Sequence, residues 1–388
     1  LNFNEIVSRA GTDAFKVELL DGLYGAPHAT PLWVADMDFP APPPVVEALR
    51  RRADHPIFGY TMRPKHYFNS MCRWFERRHG WHIDPDWCLH SPMMVTSLAI
   101  VVEEFTARGE KVLIQTPVYQ PFFEVVTQAG RALVTSELVN RDGYYEIDFD
   151  RFERDVASGV KLFILCSPHN PVGRVWLREE LVRMVEICAR HNVLVVSDEI
   201  HCDIVFPGSQ HLPLLSLDPS FAPNVIACVS PSKTFNLAGL CASALVIPHE
   251  PLRSRVASIM GRFSLHLSNV FSVDAFQTAF DSGGPWLDEL LVYLQDNREL
   301  VHGEIERNCP QIKGRRPEGT YLSWLDFRVL GIHDMELKRL LAKEAGVALE
   351  PGSKYGTAGA GFMRLNFASP RPVLTEAMER LCAFVRSR

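Results

Sequence analysis

Lys233 lies in Ser230-Pro-Ser-Lys-Thr-Phe-Asn-Leu-Ala-Gly-Leu240, directly after the apolar run Val225-Ile-Ala-Cys-Val229. That run reads as a short buried strand, so the lysine stands at a strand end with two hydroxyls, Ser230 and Ser232, beside it. Hydroxyls placed there suit a phosphate. A free lysine amine keeps its proton up to about pH 10.4 and is a poor nucleophile unless its surroundings lower that value. A lowered lysine next to an anion site suits one chemistry, a Schiff base with a phosphorylated aldehyde such as pyridoxal phosphate. Lysine between serines is also an ordinary loop composition, so the motif needs partners elsewhere in the chain.

Two other strand ends supply them. Cys166-Ser-Pro-His-Asn-Pro-Val-Gly173 closes one apolar run and sets Asn170 in a turn rich in Pro and Gly. Val195-Val-Ser-Asp-Glu-Ile-His201 closes another and sets Asp198 just past it. A single Asp after a strand is more often a helix cap than a ligand. Three chemically apt groups at three strand ends carry more weight, because open parallel sheets bind ligands beyond the carboxyl ends of their strands.

The elements that must position these groups follow from hydrophobic periodicity. Strands are expected at 111–115, 131–136, 160–166, 192–197 and 224–229, and helices at 98–106, 119–130 and 178–191. Short apolar strands alternating with helices imply α/β architecture around a largely parallel sheet. Helical patterns near 250–262, 272–281 and 286–307 precede a smaller α+β stretch ending in 361–367 and a last helix. The expected division is an N-terminal arm over 1–35, a large domain over 36–280 and a small domain over 281–388. Gly283-Gly-Pro and residues 308–319 are the expected hinge or loop regions. Asp36 and Asp38, in a loop before a helix, read as structural rather than catalytic.

Composition removes several function classes. A chain of 388 residues holds a large core, and its net charge of -6 without a basic block argues against nucleic acid or an anionic membrane surface. No apolar run nears the roughly 20 residues of a membrane span. The nine cysteines are scattered, with no Cys-x-x-Cys, as expected of reduced core residues in a cytoplasmic protein. The first residue is Leu, and the natural start is expected upstream. His55, His66, His79, His82 and His90 lack metal-ligand spacing, so no metal site is expected.

Taken together, Asn-Pro-x-Gly at 170, Ser-Asp-Glu-Ile-His at 197 and Ser-x-Ser-Lys-x-Phe-Asn at 230 resemble the fold-type I pyridoxal-phosphate enzymes. Trp33-Val-Ala-Asp-Met-Asp-Phe, Phe58-Gly-Tyr, Gly352-Ser-Lys-Tyr-Gly and Gly361-Phe-Met-Arg-Leu-Asn-Phe narrow the resemblance. They are similar to the MalY/PatB group of cysteine-sulfur β-lyases within the class I/II aminotransferase superfamily. The resemblance runs from about Trp33 to Arg371. It implies a large domain built on a mainly parallel, seven-stranded sheet between helices, with a smaller α+β domain.

It also implies roles. Lys233 would hold the cofactor aldehyde and then take the substrate Cα proton, Asp198 would face the pyridine nitrogen, and Asn170 would donate to the phenolic oxygen. Tyr119 would stack on the ring. Ser230 and Ser232 would bind the phosphate with backbone N–H groups near Met94 and Val95. Tyr60 would reach the phosphate of the other subunit, making the active unit a homodimer with shared sites. Arg364 would take the substrate α-carboxylate, which a guanidinium fork grips with two parallel hydrogen bonds. His201 stands where many relatives carry Tyr, and both a cofactor contact and a packed core histidine fit it. One departure is Pro92-Met-Met-Val95, where relatives show Pro-Gly-Val-Val. A glycine lost there would alter the approach to the phosphate if the backbone needed positive φ.

Three activities share these residues. In the first, an L-cysteine S-conjugate such as cystathionine loses its Cα proton and its thiolate, giving pyruvate, ammonia and a thiol. In the second, the chain is an aminotransferase of an L-amino acid. In the third, it binds the cofactor but acts mainly by contacting a regulator. The subgroup resemblance favours the first.

Overall fold

The computed structural model describes residues 1–265 and 267–388. Its centre is a seven-stranded sheet of β1 (Cys88–Ser91), β2 (Lys111–Thr116), β3 (Ala132–Glu137), β4 (Val160–Cys166), β5 (Leu194–Asp198), β6 (Val225–Val229) and β7 (Ser243–Val246). The spatial order is β1-β7-β6-β5-β4-β2-β3. All neighbouring pairs are parallel except those of β7, which runs against both β1 and β6. The expected parallel strands are present within a residue or two of the sequence reading. β1 and β7 were not anticipated.

Alternation along the strands feeds two cores. Val112, Ile114, Leu162 and Ile164 face the layer holding helix Met94–Phe105 and helix Glu250–Arg262. Leu113, Phe163, Leu165 and Val195 face the layer holding helix Arg178–Arg190, through Leu181, Met184, Val185 and Cys188. Every residue of β6 is buried, as a strand covered on both faces requires.

Register is what builds the site. Cys166 pairs with Asp198, and Asp198 with Cys228. β4 and β5 therefore end level with each other and one residue short of the end of β6, and the segments that follow them emerge at one edge.

A second sheet, all antiparallel, contains Lys313–Gly314, Leu322–Asp326, Phe362–Asn366 and Glu350–Pro351 in that spatial order. Arg364 sits mid-strand in it, opposite Trp324 on one side and Glu350 on the other. Helices Gly284–Asn308 and Arg371–Arg386 accompany this sheet. The N-terminal segment forms a separate two-stranded parallel sheet, Thr30–Pro31 pairing with Val347–Ala348.

Gly283 links helix Val270–Ser282 to helix Gly284–Asn308 in a packed joint rather than an open hinge. A Cβ there would lie 2.4 Å from Phe235 Cε1 and 2.5 Å from Ala279 O. The 308–319 stretch is likewise tied down: Glu318 N donates to Gly173 O (2.8 Å), and Glu318 Oε2 accepts from Arg174 Nε (3.1 Å). Among the described residues, no helix is long and apolar enough to cross a membrane.

Candidate active site

A cavity of about 200 Å³ opens where β4, β5 and β6 end. Lys233 lies in the short helix Pro231–Thr234, which Ser230 caps by accepting the Ser232 N–H (3.1 Å). Ser230 Oγ also donates to Ala242 O (2.8 Å), with Ser232 Oγ 2.9 Å away. Beyond the lysine, Asn236 accepts from Met37 N (3.1 Å) and donates to the carbonyls of Met37 (3.0 Å) and Phe39 (2.8 Å). The lysine turn is thus fastened on both sides.

Lys233 Nζ donates to Ala35 O at 2.5 Å. Burial pulls the ammonium down to about 8; Asp36 and Asp198 oppose this and Arg364 adds to it. Asp198 accepts the Ile200 N–H (3.1 Å), and burial pushes its carboxyl up to about 7 in spite of that bond and of Lys233. An amine that sheds its proton easily and an acid short of positive partners therefore share one cavity.

Asn170 is buried, and its backbone O accepts the Tyr119 N–H (3.1 Å). Tyr119 is half-buried in the cavity wall, its phenol pushed up to about 12, chiefly by burial. His201 lines the cavity edge-on to Tyr321, with ring centroids 5.7 Å apart. Its buried Nδ1 has no hydrogen-bond partner among the described residues. Burial, then Lys233 and Arg364, hold it well below its ordinary value, so it stands neutral.

Met94 and Val95 open the helix Met94–Phe105 at the cavity, where its free N–H groups favour an anion. The helix starts four residues before the expected Leu98. Met93 precedes it at φ -152 and ψ 154, extended backbone open to any residue. The missing glycine therefore imposes no strain on this loop.

Arg364 does not line the cavity but reaches it. Its Nη1 donates to Asn170 Oδ1 (3.3 Å) and its Nη2 to Trp33 O (2.5 Å), while its buried Nε has no partner among the described residues. Tyr60 is not brought in: it is 95% exposed, on a loop whose Ile57, Phe58 and Met62 are exposed as well. Asp36 and Asp38 form an ion-pair cluster. Arg9 Nη2 lies 2.7 Å from Asp36 Oδ2, and the wholly buried Lys16 Nζ lies 2.8 Å from Asp38 Oδ2.

Residues missed in the sequence are Ala35, Ala242 and Cys241. The first two act through backbone carbonyls, and nothing in a side chain announces that. Cys241, in the left-handed region at φ 54, lines the same cavity; its place eight positions after the lysine was the available signal. His79 does gather with Cys202 and Asp203, their potential ligand atoms within 4.8 Å of one another.

The family profile "Aminotransferase class I and II" matches residues 28–381. The chain belongs to that family. Over 384 residues it is 43% identical to "Cystathionine beta-lyase PatB" of Bacillus subtilis, covering 99% of both chains. It is 32% identical over 390 residues to "Protein MalY" of Escherichia coli, covering 100% of this chain and 99% of that one. Among solved structures it is similar to cystalysin from Treponema denticola, described as containing pyridoxal 5'-phosphate, with a TM-score of 0.96 and 34% identity over 100% and 99% of the chains.

The donor set fits that cofactor. Among the described residues, the buried Asp198 carboxylate accepts one hydrogen bond, from Ile200 N, and has no ion-pair partner in contact, while His201 Nδ1 and Arg364 Nε have no hydrogen-bond partner. The two serine hydroxyls and the N-terminus of helix Met94–Phe105 form an anion cradle at one end.

Proposed function

We propose that this chain catalyses β-elimination on L-cysteine S-conjugates such as cystathionine, using pyridoxal phosphate held on Lys233. Its similarity to the lyase of Bacillus subtilis, 43% over almost the full length of both, carries the choice of reaction. In the overall change, Cα–H and Cβ–S bonds break, water is consumed, and pyruvate, ammonia and a thiol leave. A thiol, with a pKa of about 8.5, needs little acid assistance to depart.

The bound cofactor supplies a ring that takes up the electron pair released at Cα. Each residue's part follows from its surroundings. Lys233, lowered to about 8, would take the Cα proton through its neutral form, which burial makes accessible about two pH units sooner than for an exposed lysine. Asp198 would face the ring nitrogen and keep it protonated, an ion pair that would relieve the cost of its own burial. Asn170 would donate to the ring's phenolic oxygen, Tyr119 would stack on the ring, and His201 lines the same cavity. Ser230, Ser232 and the N–H groups of Met94 and Val95 hold the phosphate. Arg364 orients the substrate carboxylate, its free Nε and its bond to Asn170 aiming it at the cavity.

The exposed apolar loop with Tyr60 is the surface on which we place the second subunit, so that Tyr60 completes the partner's phosphate site. The division into arm 1–35, large domain 36–280 and small domain 281–388 belongs to the same reading. Nine free thiols, eight of them buried, support the cytoplasm as its location.

The deciding experiment incubates the holoenzyme with L-cystathionine and no keto acid. Pyruvate and a thiol are the expected products. Turnover that requires an added keto acid would make the chain an aminotransferase, and a bound cofactor without turnover of any amino acid would leave only the regulatory reading.

A further inference from the structure

Asp203 is buried five residues beyond Asp198 and collects three donors. Trp74 Nε1 and His79 Nε2 reach its Oδ1 at 3.0 and 2.9 Å, and Thr234 Oγ1 reaches its Oδ2 at 2.8 Å. Burial alone would raise this carboxyl, yet hydrogen bonds from His79, Thr234 and Trp74 hold it below its ordinary value. It is an ionised group fixed inside the protein. It does not line the cavity of Lys233; it lines a second cavity of about 360 Å³, with His79, Cys202 and His211.

Thr234 is wholly buried and directly follows Lys233 at the end of the short helix. Trp74 serves the same turn twice, since its ring also packs edge-on against Phe235 at 5.3 Å. A helix of one turn has little stability of its own, so external bonds decide where its side chains point. The serine and asparagine bonds already described fix the turn's two ends. The Thr234–Asp203 bond fixes the position adjoining the amine.

We infer that Asp203 and Thr234 are positioning residues for Lys233: the carboxylate, clamped by Trp74 and His79, holds the threonine and so aims the neighbouring amine into the cavity. This rests on Lys233 being the reacting amine. The contact is charge-assisted and removed from water, where such bonds are strongest. Misplacing a reacting group by an ångström costs up to about a hundredfold in rate.

Thr234→Val keeps the shape and deletes the donor. Expected are a kcat lower by about tenfold with KM within about twofold, slower capture of pyridoxal phosphate by the apoprotein, and a displaced pH midpoint for the visible absorption band of the bound cofactor. Thr234→Ser should restore all three. Asp203→Asn should act in the same direction, and the double variant should be no worse than the poorer single one, because both remove one contact. Should Thr234→Val lower the melting temperature while capture rate, band midpoint and kcat stay at wild-type values, the contact is structural only and the inference fails. Fully additive losses in the double variant would also overturn it. Lys233→Ala separates the two levels: a visible band surviving in that variant refutes the lysine assignment, whereas its loss alongside a neutral Thr234→Val refutes only the positioning.

Discussion

Arg364 Nη1 donates to Asn170 Oδ1 across 3.3 Å, and this bond joins the four-stranded sheet to the loop after β4 of the seven-stranded one. The group assigned to the substrate carboxylate and the group assigned to the cofactor oxygen therefore move as a pair. Either sheet shifting against the other would change both at once.

Arg364→Lys keeps the charge but loses the planar fork. The expected result is a kcat/KM lower by roughly a hundredfold, equivalent to about 2–3 kcal/mol for a charge-assisted bond, with weaker binding of unreactive amino acids. Calorimetry with such an analogue, alongside steady-state rates, checks it. Unchanged analogue affinity removes Arg364 from the substrate site.

The Asp198 carboxyl, raised to about 7, makes the apoprotein sensitive to pH in a defined direction. The folded chain binds a proton there that the unfolded chain releases near pH 4, so stability from this group is full below about pH 4 and fades as pH rises through 7. Forced ionisation costs up to about 4 kcal/mol. Apo Asp198→Asn should therefore melt higher than the apo wild type at pH 8 and lose that advantage at pH 4, while retaining cofactor poorly. Equal melting temperatures at both values contradict the burial argument.

In the apoprotein, Lys233 is lowered to about 8. Its acylation by an amine-directed reagent should rise with pH and level off just above 8, while exposed lysines continue to gain reactivity toward about pH 10. Peptide mapping after brief labelling at a series of pH values reads this directly.

Tyr60→Phe should weaken cofactor retention by about tenfold, the worth of one hydrogen bond to a charged group, without altering the fold. Retention in the wild type should also fall as the protein is diluted below its association range, measured by sedimentation with the visible band. Retention independent of both would return Tyr60 to an ordinary surface residue.

Gly283→Ala should destabilise the chain by about 1–3 kcal/mol, because the new Cβ meets Phe235 and the carbonyl of Ala279 at about 2.5 Å. Denaturant unfolding measures it. A neutral result would mean the two helices are free to part at this joint.

The inner parallel strands were legible because both faces are apolar, and the lysine, aspartate and asparagine because each follows such a run. β1 and β7 escaped for a physical reason. They are four residues each and carry polar groups that are satisfied inside, as where Ser243 Oγ donates to Ser91 O (2.9 Å) with both serines wholly buried. A serine that spends its hydrogen bond on a neighbouring strand looks, in sequence, like a serine facing water. Asp203 was hidden in the same way, since its three donors come from residues 74, 79 and 234. The first residues of helix Met94–Phe105 were missed because Val-Thr-Ser favours extended or turn backbone, and burial against the sheet overrides that preference.

Because β7 reverses direction beside β6, the segment carrying Lys233 leaves one strand and returns on its immediate neighbour. It is a closed collar, laced at its neck by Ser230 and Ala242. Adding or deleting a single residue within 230–242 should turn Lys233 out of the cavity in which we propose that it holds the cofactor. Diversification toward other sulfur compounds must therefore be written into the arm and the outer loops, while this collar keeps its length.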